Sequence, residues 1–520
     1  MSPILSRSLN EPRIGAGHRH WGSAPLAARF LLGALVLVFL ATRFALYWNI
    51  SPIFDVDTYK YFGGADSLWA GRGWAPIFLE RHEGGGALHA VPGYSLFMVA
   101  VWKVVGTRTL SGVALAQAAF SCVALLATMD LVLRRCGAGA AVAVTALLVA
   151  SPSLAWLDHF LMPESLSAAL FVLAMWFVAR MPVERGLDRS TLTAALASGL
   201  LLSFGILLRT SSQVFVPFPA LLAIGCLRSW RAIALWGAVY ATALAVPLLP
   251  WILHNQRVHG HPVISASTGR SLYFSGVWSN TIDRETQMQK LGPGRPTDVM
   301  SSFYLLDAQF QQFLDSGMDI VEADAAMRRL ALGEYRAAGI ERYARGRMET
   351  LVGLFQRESF GRRNNVLIDM MSWYLAEGSA SAPIRGNMER RWAYEFTPEA
   401  AMLVDDTRRT HSGSGLWFRR WVERMSFDGM SLALAFVAST CLLLARPRSH
   451  GFALRCWVLP VCAYLAMYTI FGNPLYRYQA VIHGPMLTVI GLAFWQLVQL
   501  ARGAVASVGA GSSPTVDPPA

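Results

Sequence analysis

Two carboxylates, Asp55 and Asp57, follow directly on the first long apolar run of the chain, in FDVDTYKYFGGADSLWAGRGW (54–74), with Tyr59 and Tyr61 close by. A carboxylate held partly desolvated at a membrane surface is placed to take a proton, or a hydrogen bond, from an alcohol. The same pair could also do no more than solvate a loop. A third acid, Glu164, stands beside Pro163 in DHFLMPESL (158–166), where the positive end of a helix dipole favours it without any further role. If Glu164 and Asp57 share one side of a membrane, they can form a paired-carboxylate site, one acid as base and the other orienting an acceptor.

Cations to face these acids come from Arg209, at the end of SFGILLRTSS (203–212), and Arg477, in GNPLYRYQ (472–479). Each either snorkels to an interface or binds an anionic oxygen, since a guanidinium offers forked donors to phosphate. His82 and His89 border a Gly-rich strip, EGGGALHA (83–90). Neither an HxxxH nor an HExxH spacing is present to suggest a metal, so both read as loop polar groups or phosphate contacts, and no divalent metal is indicated.

The elements that must position these residues are membrane spans. Of 520 residues, 54% are hydrophobic and only 15% charged, and the mean hydropathy is +0.38. That excludes a single soluble domain and a disordered chain. The net charge of +12 does not imply nucleic acid, because many basic residues lie between apolar runs, where they set topology. Cys122, Cys136, Cys226, Cys441, Cys456 and Cys462 all lie in or beside apolar runs, with no CxxC pair, so no disulfide framework is expected in the long polar loop.

Apolar runs mark about ten spans, at 27–48, 110–133, 138–157, 161–179, 190–208, 212–227, 232–253, 428–445, 452–471 and 480–500. An eleventh stretch, 92–106, is short and carries Lys103. With Arg7, Arg13, Arg19 and Arg29 in the cytoplasm and 92–106 lying flat in the interface, Arg134, Arg135, Arg180, Arg185, Arg189, Arg228, Arg231, Arg446, Arg448, Arg455 and Arg502 all fall inside. A spanning 92–106 would turn those clusters outward.

The expected layout is therefore a cytoplasmic N-terminus (1–26), a membrane module (27–253) with a first outer loop (49–91) and an interfacial helix (92–106), an outer domain (254–427), C-terminal spans (428–500) and a cytoplasmic tail (501–520). Within the outer domain, 321–357 has the pattern of an amphipathic helix broken near 333–339. LWFRRWVER (416–424) reads as a helix at the outer interface, and the Gly/Ser/Pro-rich end of the tail as disordered.

Taken in order, these motifs resemble the GT-C glycosyltransferases that use lipid-phosphate sugars. The nearest branch is glycosyltransferase family 39, which holds protein O-mannosyltransferases and the aminoarabinose transferase of lipid A. The resemblance rests on Asp57 followed by Tyr61, Ala65 and AGRGW (70–74), on HAVPGYSLFMVAVWKVVG (89–106), LMPESL (161–166) and LLRTSS (207–212), and on RLALGEYRAAGIERYARGRMETL (329–351) and the Arg477-Tyr478 pair. Its most specific piece is PWILHNQRVHGHPVISASTGRSLYFSG (250–276). This chain departs from that pattern at His254, where arginine is usual.

The resemblance implies an all-α polytopic membrane protein of GT-C type with a mainly helical outer-face domain. It implies a polyprenyl-phosphate sugar as donor, a glycan, lipid or protein as acceptor, and a bacterial inner membrane with the site facing the periplasm. Asp57 would be the general base of an inverting transfer, with Asp55 next in line, and Glu164 would orient the acceptor. Arg209 and Arg477, with His82 or His89, would hold the phosphate, while Tyr61, Tyr94, Asn255 and Tyr478 would contact substrate. Segments 280–320 and 360–415 match nothing in the pattern, and acceptor choice is expected there. The rival readings are a lipid-linked sugar transporter or flippase, which would want charges deep within the spans where few are visible, and a cell-envelope polysaccharide polymerase or ligase.

Overall fold

The computed structural model describes residues 21–49, 52, 58–74, 91–181, 188–227, 229–290, 300–355, 399, 402–403, 429–445, 451–471 and 480–510. Among them there is no strand. The helices are α1 (Leu26–Asn49), α2 (Thr58–Trp69), α3 (Gly93–Val105), α4 (Leu110–Cys136), α5 (Ala138–Ala150), α6 (Pro152–His159), α7 (Pro163–Ala179), α8 (Arg189–Leu208), α9 (Pro217–Cys226), α10 (Trp230–His259), α11 (Thr268–Trp278), α12 (Arg284–Lys290), α13 (Met300–Asp315), α14 (Ile320–Gly353), α15 (Gly429–Leu444), α16 (Leu459–Phe471) and α17 (Ala480–Ala510).

Among the described residues six stretches are long and apolar enough to cross a bilayer: Leu26–Trp48, Leu110–Cys136, Arg189–Leu208, Trp230–His259, Gly451–Ile470 and Val481–Val505. The chain is thus a multi-pass membrane protein. The run expected as one span at 138–157 is instead two helices, α5 and α6, bent by 56°. Pro152 lacks the N–H that would continue α5, and Ser151 Oγ accepts from Leu154 N to start α6 in a new direction. The other three expected spans coincide with the shorter apolar helices Pro163–Ala179, Thr210–Cys226 and Ser431–Leu444. The marginal stretch 92–106 forms the short helix α3, ended by Gly106 in the left-handed conformation at φ 82°. The first of the ten runs carries an arginine, Arg43, that the sequence reading passed over. The segment 416–424 lies outside the described residues.

Three layers position the site. The main bundle packs α1, α4, α5, α7, α8, α10, α16 and α17 around one apolar core. Above it, α2 and α3 lie against each other and against the α6–α7 connection. Their seam is aromatic: Tyr61 meets Tyr94 edge-on at 5.2 Å, and Trp102 meets Phe62 at 5.8 Å and Trp69 at 5.9 Å. Ser95 Oγ closes the seam by donating to Tyr61 O at 2.7 Å. Buried Asp66 ties α2 to the α3–α4 turn through Arg108 (2.6 Å) and holds the chain just after α2 through Arg72 (2.9 Å). A Cβ on Gly93 would sit 2.4 Å from the Leu207 carbonyl carbon, so α3 abuts the end of α8 backbone to backbone.

The third layer is a subdomain of α11, α13 and α14, with its own core around Tyr273, Met327 and Tyr335. Helix α14 begins with a capping box between Asp319 and Glu322 and is broken at Gly339 (φ 77°), within the range the sequence pattern indicates. Asp324 takes the N–H groups of Gly269 and Arg270, both at 2.9 Å, and so caps α11. Arg347 docks this layer on the bundle. Buried, it donates to Ser275 Oγ (2.9 Å), Ser279 Oγ (2.8 Å) and the carbonyls of Thr469 (3.2 Å) and Ile470 (3.1 Å) at the end of α16. A guanidinium suits carbonyls near the C-terminal end of a helix.

Within the bundle, Arg43 Nε pairs with Asp158 Oδ2 at 3.0 Å, both side chains 5% exposed. Ser165 Oγ donates to Asp158 Oδ1 at 2.6 Å, and Ser121 Oγ donates to the same atom. The Arg43 guanidinium also lies 3.5 Å over the Phe39 ring. Losing one partner strands the other charge in a medium that cannot solvate it. We expect Arg43→Met or Asp158→Leu alone to destabilise the protein by about 3–5 kcal/mol. The double replacement should recover most of that loss, as read by thermal unfolding in detergent.

Candidate functional site

Glu164 and Arg209, far apart in sequence, form an ion pair of 2.7 Å with side chains 5% and 11% exposed. Local structure explains why each faces the other. Pro163 opens α7 and puts Glu164 in its first turn. There the helix dipole favours a carboxylate that burial would otherwise disfavour. Helix α8 stops at Leu208, and Arg209 turns extended (φ −158°, ψ 119°) while its N–H still bonds to Gly205 O. Its side chain therefore leaves the helix end instead of lying along the helix. Ser167 and Ser212, 2.7 Å apart, tie α7 to the turn that follows α8.

The third member is Tyr468 of α16, whose hydroxyl accepts from Arg209 Nη2 at 2.9 Å. An aromatic shelf lies beneath: Phe171 stacks on Phe215 at 4.1 Å, Phe215 on Tyr464 at 5.4 Å, and Tyr464 meets Tyr468 at 4.7 Å. Glu164 Oε1 faces Arg209. Glu164 Oε2, equally buried, accepts no hydrogen bond among the described residues. A buried carboxylate oxygen with spare lone pairs carries a desolvation penalty that a donor from a bound molecule would relieve.

The connection carrying Glu164, Phe160–Met162, is held from three directions. Thr58 Oγ1 donates to Leu161 O at 3.1 Å. Gln117 Nε2 donates to the carbonyls of Asp158 (3.1 Å) and Phe160 (2.9 Å), and Tyr94 Oη donates to Gln117 Oε1. Thr58, Ser95 and Gln117 are fully buried. The start of α2 is thus fastened to the Glu164 loop at Thr58, the residue that follows Asp57. Asp55, Asp57, His82, His89, Arg477 and Tyr478 themselves lie outside the described residues.

Of the expected site residues within the description, Glu164 and Arg209 come together. Tyr61 and Tyr94 pack in the same apolar cluster as Met162, Leu166 and Leu208, which flank the pair. The Tyr94 hydroxyl is engaged by Gln117. Asn255 is fully buried, and its amide donates to Val263 O at 2.7 Å, closing the turn after α10. His254 stacks on Trp251 at 5.3 Å, and Trp251 meets Trp74 of the first loop at 5.8 Å.

Sequence reasoning missed Tyr468, which is one aromatic among many in an apolar run, and Asp158, which reads as an ordinary loop acid. A signal did exist for Arg43 and Gln117, because each is polar inside an apolar run. Among the described residues no group of three or more His, Cys, Asp or Glu is placed to hold a metal ion.

No family model matches the sequence, and no curated protein does either. Among solved structures the chain is similar to the oligosaccharyltransferase of Archaeoglobus fulgidus in its apo form, at 14% identity and TM-score 0.46, over 92% of this chain and 52% of that one. It is also similar to ArnT from Cupriavidus metallidurans bound to undecaprenyl phosphate, at 16% identity and TM-score 0.36, over 92% and 80%. The chain spans about half the length of the oligosaccharyltransferase.

The pair makes a direct prediction. Glu164→Gln and Arg209→Gln should each destabilise the protein, and a double-mutant cycle between them should give a favourable coupling in the ~0.5–3 kcal/mol range of residues in contact. Tyr468→Phe should cost about 1.5–3 kcal/mol, the range for a hydrogen bond to a charged group. Thermal unfolding of the purified variants reads all of these.

Proposed function

We propose that the chain is a membrane glycosyltransferase that moves a sugar from a polyprenyl-phosphate donor to an acceptor hydroxyl at the outer face of a bacterial inner membrane. The observation that carries the reading is the buried Glu164–Arg209 pair, set where two apolar helices end, with one carboxylate oxygen that accepts no hydrogen bond among the described residues. Beside it, the start of α2 is fastened through Thr58 and Leu161.

In this reading the Asp57 carboxylate takes the proton of the acceptor hydroxyl. The resulting oxygen attacks the anomeric carbon from the face opposite the phosphate, so configuration inverts. The bond between that carbon and the phosphate oxygen breaks, and its electron pair leaves with the polyprenyl phosphate. Glu164 Oε2 accepts a hydrogen bond from the acceptor and orients it. Arg209, fixed by Glu164 and Tyr468, stands with Arg477 toward the developing phosphate charge, with His82 and His89 as further donors. A preorganised guanidinium stabilises the transition state without reorganising as charge develops, an effect of about 10²–10³ in rate for a single donor. Asp55 is the alternative base. The short helix α3 and the apolar surface beside it suit the isoprenoid chain.

One observation favours the transporter reading. Arg43 and Asp158 form a charged pair inside the bundle, and they border a cavity of about 80 Å³ that is otherwise largely apolar. The two readings part on bond cleavage. Purified protein given a panel of polyprenyl-phosphate sugars and crude envelope acceptors should release polyprenyl phosphate. Asp57→Asn should lower that release by about 10²–10⁴, the usual worth of a general base. Equal release by the two proteins would move the base to Asp55, and movement of intact donor across vesicles without cleavage would establish the transporter. A topology reporter at position 160 should report the outer face; a cytoplasmic result would undo the reading.

A further inference from the structure

The subdomain of α11, α13 and α14 holds a polar cavity of about 420 Å³ between the Ser279–Glu285 turn and the second half of α14. That volume is within the ~300–1,000 Å³ of small-molecule sites. Its floor is rigid. Gly346 leaves the α14 backbone so close to the turn that a Cβ there would lie 2.0 Å from Thr281 Oγ1 and 3.0 Å from Ser279 O. Asn280 holds a left-handed backbone at φ 53°, and its carbonyl accepts from Arg342 Nε at 2.8 Å.

The walls carry both signs of charge, Arg284, Arg342 and Arg345 with Asp283, Glu285 and Glu349. Arg345 pairs with Glu341, and Asp283 accepts from Thr286. Among the described residues Arg284, Arg342, Glu285 and Glu349 form no ion pair with one another. An anion alone would be repelled by the carboxylates, a cation alone by the guanidinium groups, and an apolar ligand would offer none of the four a hydrogen bond. A hydroxyl-rich ligand meets both requirements, because each hydroxyl donates to a carboxylate and accepts from a guanidinium.

The cavity is joined to the Glu164–Arg209 pair by a short chain of contacts. Ser279, on its floor, accepts from Arg347, and Arg347 also grips the Thr469 and Ile470 carbonyls. The residue before Thr469 is Tyr468, which holds Arg209.

We infer that this cavity is a saccharide subsite, taking the hydroxyl-rich glycan portion of the acceptor. The word acceptor rests on the transferase reading above, whereas saccharide binding itself does not. Asn280, Asp283, Arg284 and Glu285, at the start of the segment 280–320 where the sequence pattern leaves acceptor choice, supply one wall. The other wall comes from α14.

The test uses the purified full chain in detergent and calorimetric titration with soluble oligosaccharides, in neutral, amino-sugar and uronic-acid series. Arg342→Gln and Glu349→Gln are compared with Arg329→Gln, an exposed α14 change outside the cavity lining. All three side chains are exposed, so the variants should melt with the wild type. The expected result is that at least one series binds and that both cavity variants weaken it tenfold or more, with Arg329→Gln unchanged. Where donor turnover is seen, the same variants should raise the acceptor KM and leave the donor KM alone. No binding in any series, equal binding by wild type and cavity variants, or binding of inorganic phosphate in place of sugars would overturn the inference. Sugar binding lost in the cavity variants, with no donor cleaved by the wild type, would uphold the subsite and sink the transferase reading alone.

Discussion

A carboxylate and a guanidinium buried together where apolar helices end impose a constraint on which the surrounding fold depends. Glu164 and Arg209 each leave water for an interior that cannot solvate a single charge, so neither position is tolerable without the other. Everything that fixes the two helix ends follows from that requirement. Pro163 must start α7 where it does, α8 must stop at Leu208, and the aromatic shelf of Phe171, Phe215 and Tyr464 must bring α16 close enough for Tyr468 to take the second arm of Arg209.

The surrounding polar contacts continue the same logic. The bend at Ser151–Pro152 brings Asp158 onto Arg43, while Gln117 and Thr58 satisfy the carbonyls of the connection leading to Glu164. A buried loop without such partners would strand its backbone groups. Arg347 does for the subdomain of α11, α13 and α14 what Arg209 does within the bundle. It ties α14 to the last carbonyls of α16, so the saccharide cavity and the ion pair share one rigid support.

Much of this was legible in the sequence wherever one residue type forces one outcome. Long apolar runs became helices because the bilayer leaves their backbone no other partner. The break in α14 was legible from its glycines, and the structure puts it at Gly339 with a positive φ. Glu164 and Arg209 stood out as charges at the ends of apolar runs. Their mutual pairing was not legible, because nothing local records which helix ends meet in space. The partnership of Arg43 with Asp158 was hidden for the same reason: Arg43 shows as a charge inside an apolar run, but only the bend between α5 and α6 brings Asp158 to it. Arg347 sits among Arg342 and Arg345 on one amphipathic helix, and no pattern distinguishes the one that turns inward.

The central claim is that Asp57 shares one site with Glu164 and Arg209. Thiol cross-linking tests it most directly, in a chain whose Cys122, Cys136, Cys226, Cys441, Cys456 and Cys462 are replaced by alanine. Cysteines introduced by Asp57→Cys and Glu164→Cys should be joined efficiently by a short bis-maleimide, as should a reference pair from Thr58→Cys and Leu161→Cys, whose positions touch in the structure. Cross-linking of the reference pair without any joining of the 57/164 pair would contradict the account.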